Sequence, residues 1–208
     1  MSQDASVRFE VIEERYFSPH HMLIRMAAAS LFQAQRHTPI YLREEHILTS
    51  IVMSSLAIEA LCNAIGYRVV EGWADYEQIS PWAKIRLLCS NLGVAYDRGA
   101  QPWQRLQALL TFRNQIAHGK PEYVQNRRVL NTAQLEAVMS SNAMNQPLSS
   151  LESKLTLDNA RSALAVVRQV EELLTENIPH ELKLGIAVEG WTYRSREIEA
   201  EEDGPSGR

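Results

Sequence analysis

The chain has 208 residues, with 21 Lys and Arg against 25 Asp and Glu and a formal net charge of −4. That length supports one domain, or one domain with appendages, and can bury a sizeable core without disulfide or metal staples. The acidic balance argues against a broad nucleic-acid surface built from many phosphate contacts, while leaving room for a small local cationic site.

Residues Val7 to Ile12 alternate weakly and suit a short strand or an ordered arm. Ser18-Pro19 then predicts a helix to about Arg36, with Ser18 as cap, Pro19 in the first turn and Thr38-Pro39 as the stop. The strongest periodicity follows, from Arg43 to about Gly66, with Ile47, Ile51, Ser55, Ile58, Cys62 and Ile65 at spacings of three and four. Gly66 is placed to end that helix. Tyr67 to Ile79 reads as irregular. Ser80-Pro81 opens a helix that Gly93 ends, and Gln101-Pro102 opens another that runs to His118. There Gly119 suits a left-handed terminal residue, and Pro121 forbids resumption. Lys120 to Lys154 is polar, with a short helix expected at Ala133 to Met139 and a loop at Asn142 to Ser150. The last long helix starts at Thr156 and ends at Pro179. Beyond it, Leu182 to Glu197 alternates loosely and could add a strand beside the N-terminal arm.

The expected architecture is an all-α antiparallel bundle of about five principal helices, since the links around Pro39 and Gly93 are short. Residues 1–17 form an arm, 18–178 the helical domain, and 179–208 an extension whose charged end, Glu199 to Arg208, has the composition of a disordered tail. Cys62 and Cys89 lie in leucine-rich helical runs and read as core residues. Met1 to Ser6 lacks the basic and apolar regions of a signal peptide, and no apolar run approaches a membrane span. A reducing cytoplasm is the expected setting, with no membrane partner.

The most informative stretch is Arg113-Asn114-Gln115-Ile116-Ala117-His118-Gly119. Leu106, Leu109, Leu110, Ile116 and Ala117 form one apolar stripe, and Arg113 falls in its middle. An unpaired buried guanidinium is costly, so Arg113 should seek a carboxylate. Glu59, beside Ile58, and Asn63 one turn later interrupt an otherwise apolar helix. The expectation is that Glu59 accepts from Arg113 and aims it, with Asn63 helping. If that pair is buried, losing Glu59 costs roughly 3–5 kcal/mol. The plainer alternative has Glu59 solvated and Asn63 facing a loop. Asn114 and His118 are four apart and share a helix face. Arg113 and His118 are five apart, about 140 degrees around an ideal helix. They converge only if the last turn unwinds, or if a second copy contributes across a two-fold axis, so a homodimer is expected. His118 also occupies a helix C-terminus, where the dipole favours imidazolium. Alternatively, His118 only caps carbonyls and Arg113 snorkels.

Arg113 to Gly119 resembles the signature of the HEPN domain superfamily: an arginine, four to six residues, then a histidine, with a polar residue usual after the arginine. The Ile58-Glu59-x-x-x-Asn63 helix, the Ser80-Pro81-Trp82-Ala83-Lys84 helix start and the helix order also resemble HEPN proteins, over about residues 18 to 178. The arm and the C-terminal piece have no counterpart there. The resemblance implies a HEPN-like bundle acting as a metal-independent endoribonuclease at a dimer cleft, often a toxin or phage-defence protein beside an antitoxin or nucleotidyltransferase partner. It implies no cofactor. Arg113, Asn114 and His118 would be the catalytic set, and Glu59 and Asn63 would orient it. The alternative within the family is a non-catalytic module that binds RNA, nucleotide or a protein. A third reading is a helical interaction protein in which Arg113 and His118 are spectators.

Other candidates carry less. Lys120, Arg127 and Arg128 could form a cationic RNA rim or simply a solvated loop. His20-His21 reads as a surface feature at a helix start, because adjacent helical residues point apart, and Glu44-Glu45-His46 lacks the spacing of a zinc helix. No metal site is expected. Trp73, Trp82 and Trp103 read as packing at helix junctions rather than base-stacking platforms.

Overall fold

A computed structural model describes residues 8–36, 39–125, 127–140, 147–187 and 190–198. Thr38, the first part of the expected 142–150 loop and the Glu199 to Arg208 tail lie outside the described residues. Among those described, six α-helices carry the fold: α1 (Pro19–Gln35), α2 (Ile40–Val69), α3 (Pro81–Leu92), α4 (Trp103–Ala117), α5 (Thr132–Ser140) and α6 (Leu157–Glu176). Two strands, β1 (Arg8–Tyr16) and β2 (Gly190–Ile198), pair antiparallel as the one sheet among these residues. The chain is therefore mostly helical, with its two appendages joined into a ladder.

Local chemistry explains most boundaries. Ser80 Oγ accepts from the Ala83 amide at 3.3 Å to start α3, and Gly93 ends it at φ 67°, a left-handed geometry that glycine adopts without strain. Thr156 Oγ1 accepts from the Asn159 amide at 3.2 Å to start α6. Ser18 differs from its expected role: its hydroxyl makes no cap bond and lies 2.8 Å from His20 Nδ1. Gly119 also differs, since the positive-φ glycines among the described residues are Gly72, Gly93 and Gly185. α4 ends at Ala117, with His118 itself in the cap position.

The largest departure is α2, which runs past Gly66 to Val69. Gly66 is not a stop. A Cβ there would lie 2.3 Å from carbons of the Trp73 indole, so the glycine is a notch that admits the ring. Trp73 is buried in a single 3-10 turn, Trp73–Tyr76, that follows the helix. Trp103 is buried too, and Trp82, Tyr96 and Trp103 form a chain of ring contacts at 6.2 and 5.3 Å, as expected of junction packing. Against the sequence expectation, Tyr41–Val69 is long and apolar enough to cross a membrane by composition alone. In this fold it is the central helix. It packs against α1, α3, α4 and α6 and buries Ile47, Ile51, Ile58, Leu61 and Ile65.

The ladder pairs Arg8 with Ile198 and Tyr16 with Gly190. Cross-strand ion pairs line one face, Arg194 with Glu14 at 2.9 Å and Arg196 with Glu10. They fix the register of a ribbon that two strands alone hold weakly.

Cys62 and Cys89 are buried free thiols. Burial pushes Cys62 up to about 12, with nearby Lys84 partly opposing, and pushes Cys89 up to about 11, from 9.0 for each. The fold thus favours both neutral thiols. Their contribution is complete below pH 9 and is lost as pH climbs through the folded-state values. The urea midpoint should fall between pH 9 and 11 more steeply in the parent than in Cys89→Ala, and equal slopes would contradict this account. Gly66→Ala should cost about 1–3 kcal/mol in urea unfolding, because the indole must leave its notch.

Candidate functional site

Two buried faces meet at Glu59. On α2, Glu59 and Asn63 are one turn apart and aim towards α3 and α4. From α3 comes Lys84, only 1% exposed, whose Nζ donates to Asn63 Oδ1 at 2.9 Å and lies 3.6 Å from Glu59 Oε1. From α4 comes Arg113, whose Nη2 lies 3.5 Å from Glu59 Oε2. One carboxylate therefore faces two cations, one with each oxygen. The expected Glu59–Arg113 pair is present, but its side chains are 34% and 33% exposed, so it is a half-buried pair rather than a buried one. Asn63 does not help Arg113 as expected. It serves Lys84.

Lys84 is the residue the sequence reading did not place in the site. Its signal was nonetheless present: it stands four residues before Leu88 and beside Ile85, on the apolar face of α3, breaking that face as Arg113 breaks its own. A buried ammonium needs a carboxylate and hydrogen-bond acceptors, and Glu59 and Asn63 supply them.

Asn114 is exposed, and its Oδ1 accepts from Arg113 Nη1 at 3.2 Å. It steadies the guanidinium from the solvent side. The last turn of α4 does not unwind, because the His118 amide donates to the Asn114 carbonyl at 3.0 Å. His118 accordingly faces a different side of α4 from Arg113. It opens into a cleft of about 410 Å³ with Gln115, Lys120, Glu122 and the segment 149–151. Arg113 does not line this cleft, and neither do Arg127 and Arg128. Of the expected cationic rim, only Lys120 reaches it.

The cleft wall is built by side chains satisfying backbone amides. Glu122 accepts from the Ser150 amide at 3.0 Å and from its hydroxyl at 2.8 Å. Ser149 and Glu152 form a reciprocal capping box, at 2.7 and 3.1 Å. The Ser149 amide and hydroxyl hold the Glu152 carboxyl below its usual value. Lys154 Nζ donates to Gln115 Oε1 at 2.6 Å, tying this segment back to α4.

A third cluster corrects the expectation for His20-His21. His20 is fully buried, the two rings lie 4.0 Å apart, and both face Glu171 of α6. Among the described residues this is the group of His, Cys, Asp and Glu side chains placed closely enough to hold a metal ion.

No family model, curated protein or solved structure matches this chain.

The shared carboxylate makes an asymmetric prediction. Glu59→Gln should destabilise the parent by about 1–3 kcal/mol, below the fully buried case because Glu59 is partly solvated. Lys84→Met should be neutral or stabilising. In that background Glu59→Gln should cost less than about 1 kcal/mol. An equal penalty in both backgrounds, measured by urea unfolding, would show that Lys84 does not depend on Glu59.

Proposed function

We propose that the chain is a HEPN-like, metal-independent endoribonuclease that acts as a homodimer. The observation that carries this reading is the Glu59-held Arg113 guanidinium on the same helix whose end presents His118 to an open cleft. Arginine and histidine can supply what RNA self-cleavage needs. A base removes the proton from a 2′-hydroxyl, the oxygen attacks the adjacent phosphorus, and an acid protonates the departing 5′-oxygen. The products are a 2′,3′-cyclic phosphate and a 5′-hydroxyl. Imidazole can serve as base or acid near neutral pH. A guanidinium can hold the charge that builds on the phosphoryl oxygens.

The geometry supplies a reason for two copies. Each chain offers one His118, whereas the reaction needs an acid and a base. Each chain also turns His118 away from its own Arg113. A two-fold contact at the C-terminal end of α4 would bring the His118 of one copy towards the Arg113 of the other. In this reading Arg113 stabilises phosphate charge, His118 moves protons, Asn114 holds Arg113 in place, and Glu59 aims it while also neutralising Lys84. Lys120 would guide the RNA backbone at the cleft mouth. A cytoplasmic toxin or phage-defence role, restrained by an antitoxin or nucleotidyltransferase partner, belongs to the same proposal.

A second reading keeps the cleft and drops the chemistry. Only Lys120 adds positive charge to the His118 cleft, Glu122 lines it as well, and the chain is acidic overall. Those features favour a module that binds RNA, nucleotide or a protein without cutting.

Purified chain incubated with mixed RNA in EDTA separates the readings. Cleavage leaving cyclic phosphate ends, lowered about 10²–10⁴-fold in His118→Ala and about 10²–10³-fold in Arg113→Ala, is the expected result. Binding without cleavage would establish the module. A monomer at micromolar concentration by sedimentation would overturn the dimeric ribonuclease reading.

A further inference from the structure

We propose that His20, His21 and Glu171 form a site for a divalent transition metal of the zinc type. The proposal is independent of the ribonuclease reading and shares no residue with it.

The contacts of the two rings decide which nitrogens face Glu171. His21 Nε2 lies 2.7 Å from the Ile186 carbonyl oxygen. A carbonyl only accepts, so that nitrogen carries the hydrogen, and in neutral His21 the Nδ1 presents a bare lone pair. That Nδ1 lies 3.4 Å from Glu171 Oε1. A lone pair facing a carboxylate oxygen is repulsive unless a cation lies between them. His20 faces the same carboxylate. Its Nδ1 is engaged by Ser18 Oγ at 2.8 Å, which leaves Nε2 to face the same Glu171 oxygen, also at 3.4 Å. His20 is fully buried, and its Nε2 makes no hydrogen bond. The ring and the carboxylate are close, yet not aligned for a proton to pass between them.

A metal ion resolves this arrangement. The donor atoms of all three residues lie within 4.8 Å of one another. A tetrahedral zinc ion, about 2.0–2.2 Å from nitrogen and oxygen donors, separates its ligands by about 3.2–3.5 Å. Both measured nitrogen–oxygen separations, 3.4 Å, fall in that range. The outer partners are also those of a metal site: one ligating ring donates to a backbone carbonyl, which fixes its tautomer, and the other meets a hydroxyl, which steadies its ring plane. His21 and Glu171 are 20% and 21% exposed, leaving a path for the ion and a fourth position for water. Two imidazoles with one carboxylate suit zinc-type ions and exclude the all-oxygen preferences of calcium and magnesium. Bound there, the ion would join the first turn of α1 to α6 and, through Ile186, to the segment that leads into β2.

The test uses full-length chain stripped with EDTA, dialysed, and titrated with zinc sulfate alone by calorimetry. One equivalent should bind, and about 100-fold excess over Kd should raise Tm by about 5–10 °C. Glu171→Gln and His21→Ala should each weaken zinc binding about 10–100-fold. Should either variant fail to fold, cobalt(II) added to the parent chain decides, because tetrahedral coordination gives intense visible bands. No binding at 100-fold molar excess, unchanged affinity in either folded variant, or a cobalt spectrum without those bands overturns the proposal. Absent zinc binding together with a Tm that falls as the histidines lose protons would assign the gap to a proton instead.

Discussion

Burial of one ammonium group sets the geometry of the candidate site. Lys84 is almost wholly removed from water, and α3 can dock on α2 only if that charge is met. Asn63 meets it with a direct hydrogen bond and Glu59 with a carboxylate at ion-pair distance. Once Glu59 is committed to Lys84 by one oxygen, its other oxygen is fixed in space, and it faces α4. Arg113 then has a defined place rather than a range of rotamers, and Asn114 closes that place from outside. The chain of dependence runs from a buried lysine on α3, through a shared carboxylate on α2, to an exposed-edge guanidinium on α4.

Everything converges on α2, because that helix is long enough to touch four others. It also continues past Gly66 to Val69, because the missing side chain there receives Trp73 instead of ending the helix. The same economy appears at the His118 cleft. Its walls come from segments with little regular structure, held by side chains that satisfy orphan amides, notably Glu122 on Ser150 and the Ser149–Glu152 box. His118 is thus mounted on a rigid helix end and faced by a pinned loop, an arrangement suited to positioning a proton-transfer group. At the opposite terminus of the fold's logic, the arm strands depend on cross-strand ion pairs for register, and the histidine cluster ties α1 and α6 to the segment before β2.

The helix starts and stops were legible where a single residue decides them. Ser80 with Pro81, Thr156, and Gly93 act through their own side chain or their own backbone freedom, so reading them requires no neighbour. The pairing of the two terminal strands was also foreseeable from alternation, although its register was not. Pattern breaks pointed to Arg113 and Glu59, since a charge within an apolar stripe must find its opposite. The same logic applied to Lys84 would have completed the set. The stop assigned to Gly66 and the surface role given to His20-His21 misled because each position answers to a packing partner, Trp73 and Glu171, that helix-end rules do not see, whereas at Gly119 the helix had already ended on His118.

By itself, then, the sequence determined the helical class, most element boundaries, the buried thiols and the identity of the charged residues that interrupt apolar faces. These follow from periodicity and capping, which act over three or four residues. Only the tertiary structure decided which oxygen of Glu59 serves which cation, that Asn63 belongs to Lys84, that Arg113 and His118 look out on different sides of α4, and that two neighbouring imidazoles share Glu171, 150 residues away. Those outcomes depend on the relative placement of whole helices, fixed by close packing of the core, and no local window of residues contains that information.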